Sequence, residues 1–311
     1  MIGQEPLVSI GLPTFNRSSL LSKAIESVLA QTYTNIELVV SDNASDDATQ
    51  SICEEYAKKD SRIKYTRQHI NTGPACNFAY VLQHSVGEYF MWLGDDDWID
   101  DNYLEYCVSE LIRNPDYSLV GGQALSYTDN KLIVVNKPTN LLQNSGLVRI
   151  LSYYAQVGDN GIFYGVMRRR QALINPVRTT IGGDWLQVAG LAFVGKVKTI
   201  NDVYVHRNRD DSMSAGLIKM SRTIGVPITQ AVFRYLHIAW IASKDVLYAN
   251  PVYLHRSLAF RLSSSAIVFA TIFLHKSVKQ NMKNLISTIL RKLLGLARYT
   301  LLRGALRKIG I

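Results

Sequence analysis

The sequence is poor in cysteine, in long apolar runs and, beyond residue 220, in acidic groups. Its three cysteines, Cys53, Cys76 and Cys107, are odd in number and share no metal-type spacing. That argues against a disulfide framework and a cysteine-ligated metal. Each falls in an apolar or helical pattern, so buried free thiols in a reducing interior are expected. The strongest apolar run, Ala266–Leu274, covers nine residues, whereas a membrane-spanning helix needs about 20. No transmembrane segment is expected. The N-terminus shows no basic region followed by an apolar stretch, so no secretory signal is expected either, and a cytoplasmic location follows as the working expectation.

What is present describes a folding chain. Of its 311 residues 47% are hydrophobic and 19% charged, which excludes wholesale disorder and allows one large domain with a smaller appendage. The net charge of +9 is unevenly spread. Ser221–Ile311 carries fourteen Lys/Arg and one Asp, whereas residues 1–220 carry twenty Lys/Arg against twenty-four Asp/Glu. The excess belongs to the tail.

Strand and helix patterns alternate through the first half. Leu7–Leu12 reads as a buried strand. Ser18 and Ser19 can cap a helix whose apolar face runs from Leu20 to Leu29. Ile36–Val40 is a second strand, followed by a helix to about Lys58. Strands at Arg62–Thr66 and Tyr89–Leu93 flank a helix at Asn77–Ser85. This order predicts an α/β, Rossmann-like, mostly parallel sheet with helices on both faces. Ligands of such sheets bind beyond the carboxyl ends of the strands, where the polar segments around Thr14, Asp42 and Asp95 fall. Further on, a helix is expected at Asp101–Arg113. Strands are expected near Ser118–Gly121, Lys131–Val135, Ile162–Met167, Lys196–Ile200 and Val203–His206, with a low-charge helix at Asp184–Val194. Arg168, Arg169 and Arg170 read as a solvated face. The pattern is helical throughout after Ser221, which places a boundary near residue 220.

Gly94-Asp95-Asp96-Asp97-Trp98 carries the most chemistry. Three consecutive carboxylates after a hydrophobic strand resist ionising together, and a hard divalent cation, Mn²⁺ or Mg²⁺, relieves the repulsion and can neutralise a diphosphate leaving group. A solvated acidic turn capping the next helix is the plainer alternative.

Four ordered motifs, Pro-Thr-Phe-Asn-Arg at 13–17, Ser-Asp-Asn-Ala-Ser-Asp-Asp at 41–47, Asn-Thr-Gly at 71–73 and Gly-Asp-Asp-Asp-Trp at 94–98, together resemble family 2 glycosyltransferases over about residues 7–215. The resemblance implies a GT-A fold, with a nucleotide-binding half (about 1–115), an acceptor half (about 116–220) and a C-terminal helical appendage (221–311). It also implies inverting transfer from a nucleotide-sugar donor, with UDP the first expectation, to a glycan or lipid-linked acceptor in cell-surface polysaccharide or lipopolysaccharide assembly. Pro13, Thr14, Asn16, Arg17, Asp42, Asn71, Gly73, Asn77, Asp95 and Asp96 are implied around the donor. Asp95 and Asp97 form the D-x-D pattern, with Asp97 the preferred metal ligand. The family commonly has Asp where this chain has Gly94, which leaves the register of the triplet open by one residue. Asp42 alternatively closes an Asx-type turn.

Inversion needs one base to take the acceptor proton and no covalent intermediate. Asp184 in Gly-Gly-Asp-Trp is where the resemblance places that base, although Gly183 replaces the first acid of the usual pair; a helix N-cap is its plain alternative. Trp185 stacks on an acceptor sugar or packs in the core. The resemblance makes His206 a metal ligand or a structural residue, and sets Arg207 and Arg209 against the diphosphate.

In the tail, Leu285, Ile286, Ile289, Leu290, Leu293, Leu294, Leu296 and Ala297 share one half of a helical wheel, opposite Arg291, Lys292 and Arg298. Such a basic amphipathic helix suits peripheral attachment to an anionic inner membrane face; packing on the protein is the alternative. Few aromatics accompany the basic residues, so no nucleic-acid partner is expected. A nucleotidyltransferase making sugar nucleotides and a non-catalytic scaffold are the competing classes. The segment after the first strand lacks the Gly-rich loop of the former, and the retained Asp42, Asp97 and Asp184 argue against the latter.

Overall fold

The computed structural model describes residues 5–208 and 217–278. Four parallel strands form its first half: β1 (Val8–Thr14), β2 (Ile36–Asp42), β3 (Ile63–Arg67) and β4 (Tyr89–Trp92), in the spatial order β3-β2-β1-β4. Every residue of β1, β2 and β4 is buried, because helices cover both faces of a parallel sheet. Alternate side chains serve opposite cores. Ile10, Leu12, Leu38 and Val40 pack with Leu21, Ala24, Ile25 and Val28 of α1 (Leu21–Leu29). Val39, Phe90 and Trp92 face the other way, with Val81 and Leu82 of the helix Pro74–Gln83. Ser18 and Ser19 do not cap α1: its N-cap is Leu20, with no side-chain hydrogen bond.

The sheet then turns mixed. β4 is followed in space by β8 (Val166–Arg168), β6 (Tyr117–Thr128), β9 (Lys196–Asn208) and β5 (Trp98–Ile99), with β7 (Lys131–Val135) paired to β6. β8 runs antiparallel to both β4 and β6, while β6 and β9 are parallel. Two expected strands, Lys196–Ile200 and Val203–His206, are one strand with a register shift opposite Gly122/Gln123. Half of the expected strand at Ile162–Met167 falls in a 3-10 turn, Gly161–Tyr164, leading into the short β8. The Arg168 side chain is not a solvated face: its guanidinium donates to the carbonyls of Tyr117 and Leu111 at 2.8 Å each. Cys53 and Cys107 are buried free thiols as expected, but Cys76 is exposed.

The helices from residue 217 onward share a core with the second half of the sheet and its helices. Ile238, Ala239, Val246, Val252, Tyr253, Val268 and Ile272 pack in one cluster with Leu119, Leu186, Leu191 and Phe193. Arg178 ties the two parts together through Asp245 at 2.6 Å and the Ala249 carbonyl at 2.9 Å. One helical stretch, Leu258–Lys276, is 19 residues long with a mean hydropathy of 1.5. By length and composition alone it would reach across a membrane, which a nine-residue run did not suggest; polar Ser and Thr residues within it hid its extent. The amphipathic segment at 285–298 lies outside the described residues.

Candidate active site

The parallel register sets the first part of the site. Thr14 pairs with Asp42 across β1 and β2, so both stand at the carboxyl edge, where β4 also delivers Gly94–Asp97. Loop-to-loop bonds hold this edge. Asn16, at φ 54°, donates its N–H to Ser45 Oγ and accepts from Asp46 N–H, both at 2.9 Å. Asn71 Oδ1 accepts from Asn43 Nδ2 at 2.8 Å and from Gly73 N–H at 2.9 Å. Asn77 Nδ2 donates to the carbonyls of Ser41 at 2.9 Å and Thr14 at 3.3 Å. Pro13 lies in β1 beyond the last β4 pair, Gly11–Trp92, so its missing N–H breaks no ladder there.

Asp42 ties down the loop after β2 by a bond three residues on, one more than an Asx turn spans. Its Oδ1 accepts from Ser45 N–H at 2.9 Å, while Oδ2 receives the Tyr65 hydroxyl at 3.2 Å and faces Arg67 at 3.7 Å. The side chain is fully buried. Sequence reading missed Asn43, Tyr65 and Arg67, whose partners are local only in space.

The acidic loop folds back on itself. Arg17 faces Asp95 at 3.7 Å and Asp96 at 3.8 Å. Asp97, the deepest of the three at 3% exposed, accepts the Asn208 N–H at 3.0 Å. Burial and the Asp96 charge push the Asp95 pKa up to about 7, against the pull of Arg17. Burial and Asp96 raise Asp97 to about 8, against the pull of Arg207 and the Asn208 N–H. Negative charge is therefore under-compensated here. A Cβ at Gly94 would lie 2.8 Å from Asp97 Oδ2 and 3.2 Å from Asp96 Oδ1, so the glycine lets the carboxylates close over it. Among the described residues no group of three or more His, Cys, Asp or Glu is arranged to hold a metal. Carboxylates whose pKa values are raised by burial and by a neighbouring charge are the chemistry that a hard divalent ion would relieve.

His206 is not drawn to that loop. It pairs with Trp98 across β5 and β9; Nε2 meets Asp100 Oδ1 at 2.7 Å, Nδ1 meets the Tyr127 hydroxyl at 3.0 Å, and the ring stacks on Trp98 at 5.0 Å. With both nitrogens engaged, it is a poor metal ligand in this arrangement. Strand alternation turns the next residue, Arg207, the opposite way. Arg207 bonds Asp159 at 2.5 Å and lies over the Tyr164 ring at 5.0 Å. Its charge acts on both Asp97 and Asp184, and its buried Nε has no partner among the described residues. Arg209 lies outside them.

Asp184 stands in the first turn of α7 (Gly183–Val194), whose N-cap is Gly182 at φ 79° in the left-handed region. Asp184 is therefore not the cap. Its Oδ2 accepts from Asn160 Nδ2 at 2.9 Å, and Asn160 Oδ1 accepts from the Tyr153 hydroxyl at 2.9 Å. Burial raises its pKa, while Asn160 and Arg207 hold it down. Asp184, Trp185 and Arg207 line a cavity of about 600 Å³ with Phe78, Trp92, Asn160, Gln187 and, from the C-terminal helices, Arg234, Tyr235 and Ile238. The Gln187 amide is buried without a partner among the described residues. Nothing in the sequence separated Asn160, Asp159 or Gln187 from ordinary polar residues.

A model of glycosyl transferase family 2 matches residues 9–174, over half of the chain. The chain belongs to that family. The family 2 chain is similar to the GalNAc(5)-diNAcBac-PP-undecaprenol beta-1,3-glucosyltransferase of Campylobacter jejuni, at 37% identity over 130 residues, 41% of each protein. It is also 33% identical over 106 residues to glycosyltransferase GlyA of Streptococcus pneumoniae, 34% of this chain and 15% of that one. The chain thus spans less than half the length of these curated relatives. Among solved structures, S. aureus TarS 1–349 in complex with UDP-GlcNAc superposes with a TM-score of 0.62 at 16% identity, over 86% of this chain and 72% of TarS. The mannosyltransferase PcManGT from Pyrobaculum calidifontis, in complex with GDP-Man and Mn²⁺, gives 0.55 at 16%, over 93% and 81%. The family 2 chain therefore has the GT-A fold, with helices at its C-terminal end.

Proposed function

We propose that this family 2 chain transfers a sugar with inversion from a nucleotide-sugar, UDP-linked first, to a hydroxyl of a glycan or lipid-linked acceptor in cell-surface polysaccharide assembly. One observation carries the reading: the Arg207 cation lines the cavity with Asp184, and the next residue on its strand, Asn208, donates to Asp97 of the acidic loop at 3.0 Å. Donor phosphates at the loop and an acceptor hydroxyl at Asp184 would meet across that cation. Supporting it, the cavity has an aromatic lining suited to sugar faces and buried polar atoms, on Gln187 and Arg207, that an acceptor's hydroxyls would satisfy.

The roles follow from the surroundings. Thr14, Asp42 and the Asn71–Gly73 loop form the wall for base and ribose. Asp95, Asp96 and Asp97 would hold a divalent cation, Mn²⁺ or Mg²⁺, which when bound would neutralise the leaving diphosphate. Asp96 and Asp95 present the more accessible carboxylates, and Asp97 anchors the loop to Asn208 from behind. Asp184 takes the acceptor proton; a pKa raised by burial strengthens it as a base. A single carboxylate in that position is what one in-line displacement requires.

The test is a panel of nucleotide sugars assayed for Mn²⁺-dependent nucleotide release, with product stereochemistry read by NMR. Release from a UDP-sugar with an inverted anomeric centre supports the reading. Release that is indifferent to chelation, or a product of retained configuration, overturns it.

A further inference from the structure

We propose that the helix Leu258–Ile272, with its continuation Phe273–Val278, lies flat in the headgroup region of an anionic lipid surface. The membrane contact is then part of the folded enzyme, not of the amphipathic tail alone. Among the described residues, nothing apolar covers the outward face of this helix. Leu258, Leu262, Ile267 and Leu274 are each between 45% and 58% exposed, and Leu258, Leu262, Ala266 and Ala270 recur at every fourth position, which puts them on one face. The two Lys/Arg residues of the helix turn away from it. Arg261 donates to the Leu247 carbonyl, and Lys276 donates to the carbonyls of Ala155 and Val157.

The inward face fixes the orientation. Ser264, Val268 and Ile272 are buried, and Ser243 and Ser265 exchange hydrogen bonds, each hydroxyl donating to the other's carbonyl at 3.0–3.1 Å. A helix packed this way cannot cross a bilayer without leaving the fold, so it offers one side only. Its packed neighbour, Arg234–Lys244, also exposes Leu236 at 44% and Trp240 at 59%. The occupant is lipid rather than protein on grounds of charge. The sequence that continues from this helix, residues 279–311, carries eight Lys/Arg and no Asp or Glu, and a basic segment beside an apolar face is drawn to anionic headgroups. That neighbouring helix also supplies Arg234, Tyr235 and Ile238 to the Asp184 cavity, so the cavity wall and the lipid face share one element. The consequence for catalysis rests on the lipid-linked reading of the acceptor; the surface itself does not.

The experiment is flotation of the full chain with phosphatidylcholine vesicles, with and without phosphatidylglycerol, comparing wild type with the double variant Leu262→Glu/Leu274→Glu. The expected result is a loss of vesicle partition of more than about tenfold in the variant, with thermal unfolding unchanged. In parallel, Ile267→Trp should be quenched by lipids brominated on the acyl chain, which reads insertion directly even if the double variant misfolds. Undiminished flotation of the double variant, an unquenched Ile267→Trp, or a wild-type dimer in solution that the glutamates dissolve would each overturn the proposal. Nucleotide titration of the same samples keeps the two readings apart: vesicle binding without nucleotide binding sinks the transferase reading alone.

Discussion

Arg207 bonds Asp159 at 2.5 Å while its charge reaches both Asp97 and Asp184. Asp159 holds the guanidinium in place beside the proposed base, in the wall of the same cavity. Replacing it by an apolar residue of similar length removes that charge from both. Arg207→Met should lower kcat/KM by about 10²- to 10³-fold, the cost of losing one pre-placed charge or donor at a developing charge. Steady-state kinetics on a confirmed donor check this, and a loss below threefold would sink the role.

Asp184→Asn should keep nucleotide affinity, measured by calorimetry, and lose turnover by roughly 10²- to 10⁴-fold. The pH profile gives a second reading of the same residue. A base must be deprotonated, and burial raises the Asp184 pKa, so the acidic limb of kcat/KM lies above the ordinary carboxylate range. The Asn160 hydrogen bond lowers that pKa. Asn160→Ala should therefore move the limb to higher pH; a shift to lower pH, or none, refutes the assignment.

Asp96→Asn and Asp97→Asn separate ion binding from anchoring. Asp96 should be needed for Mn²⁺-dependent donor affinity and dispensable for the fold. Asp97, buried with a pKa raised to about 8, favours the protonated form in the folded state. Its contribution is therefore fully present below the unfolded carboxylate range and is lost as pH rises towards 8. Without metal, the stability of wild type relative to Asp97→Asn should fall between about pH 4 and pH 8. Chemical denaturation across that range, with chelator present, checks the slope; a flat difference counts against a buried Asp97.

Gly94→Ala tests the back of the loop. The new Cβ would sit 2.8 Å from Asp97 Oδ2, and the carboxylate cannot retreat without losing the Asn208 N–H. Mn²⁺-dependent nucleotide affinity should drop while the melting temperature changes little. An unaltered affinity would show that the loop tolerates a side chain there.

Asp245→Ala breaks the buried pair with Arg178 at 2.6 Å. Leaving a half-buried guanidinium unpaired should cost about 3 kcal/mol, at the lower end for buried pairs, read as a shift in the urea midpoint. Because Arg178 also lines the Asp184 cavity, KM for acceptor should rise more than KM for donor.

The sequence by itself determined the strand ends. A parallel strand buried on both faces must be apolar along its length, so the polar clusters after β1, β2 and β4 announced where the chain leaves the sheet. Asp184 was singled out through the family resemblance, since an acid at the start of an apolar helix reads equally well as a cap. Only the tertiary structure decided which side chains meet. Strand pairing between Trp98 and His206 turned the histidine onto Asp100 and its neighbour Arg207 towards the Asp184 cavity, a choice of face that a one-residue change of register would reverse. Asn160 reached Asp184, and Asn208 reached Asp97, across 24 and 111 residues. Contacts at such separations depend on packing between elements, and no local pattern of residues encodes them.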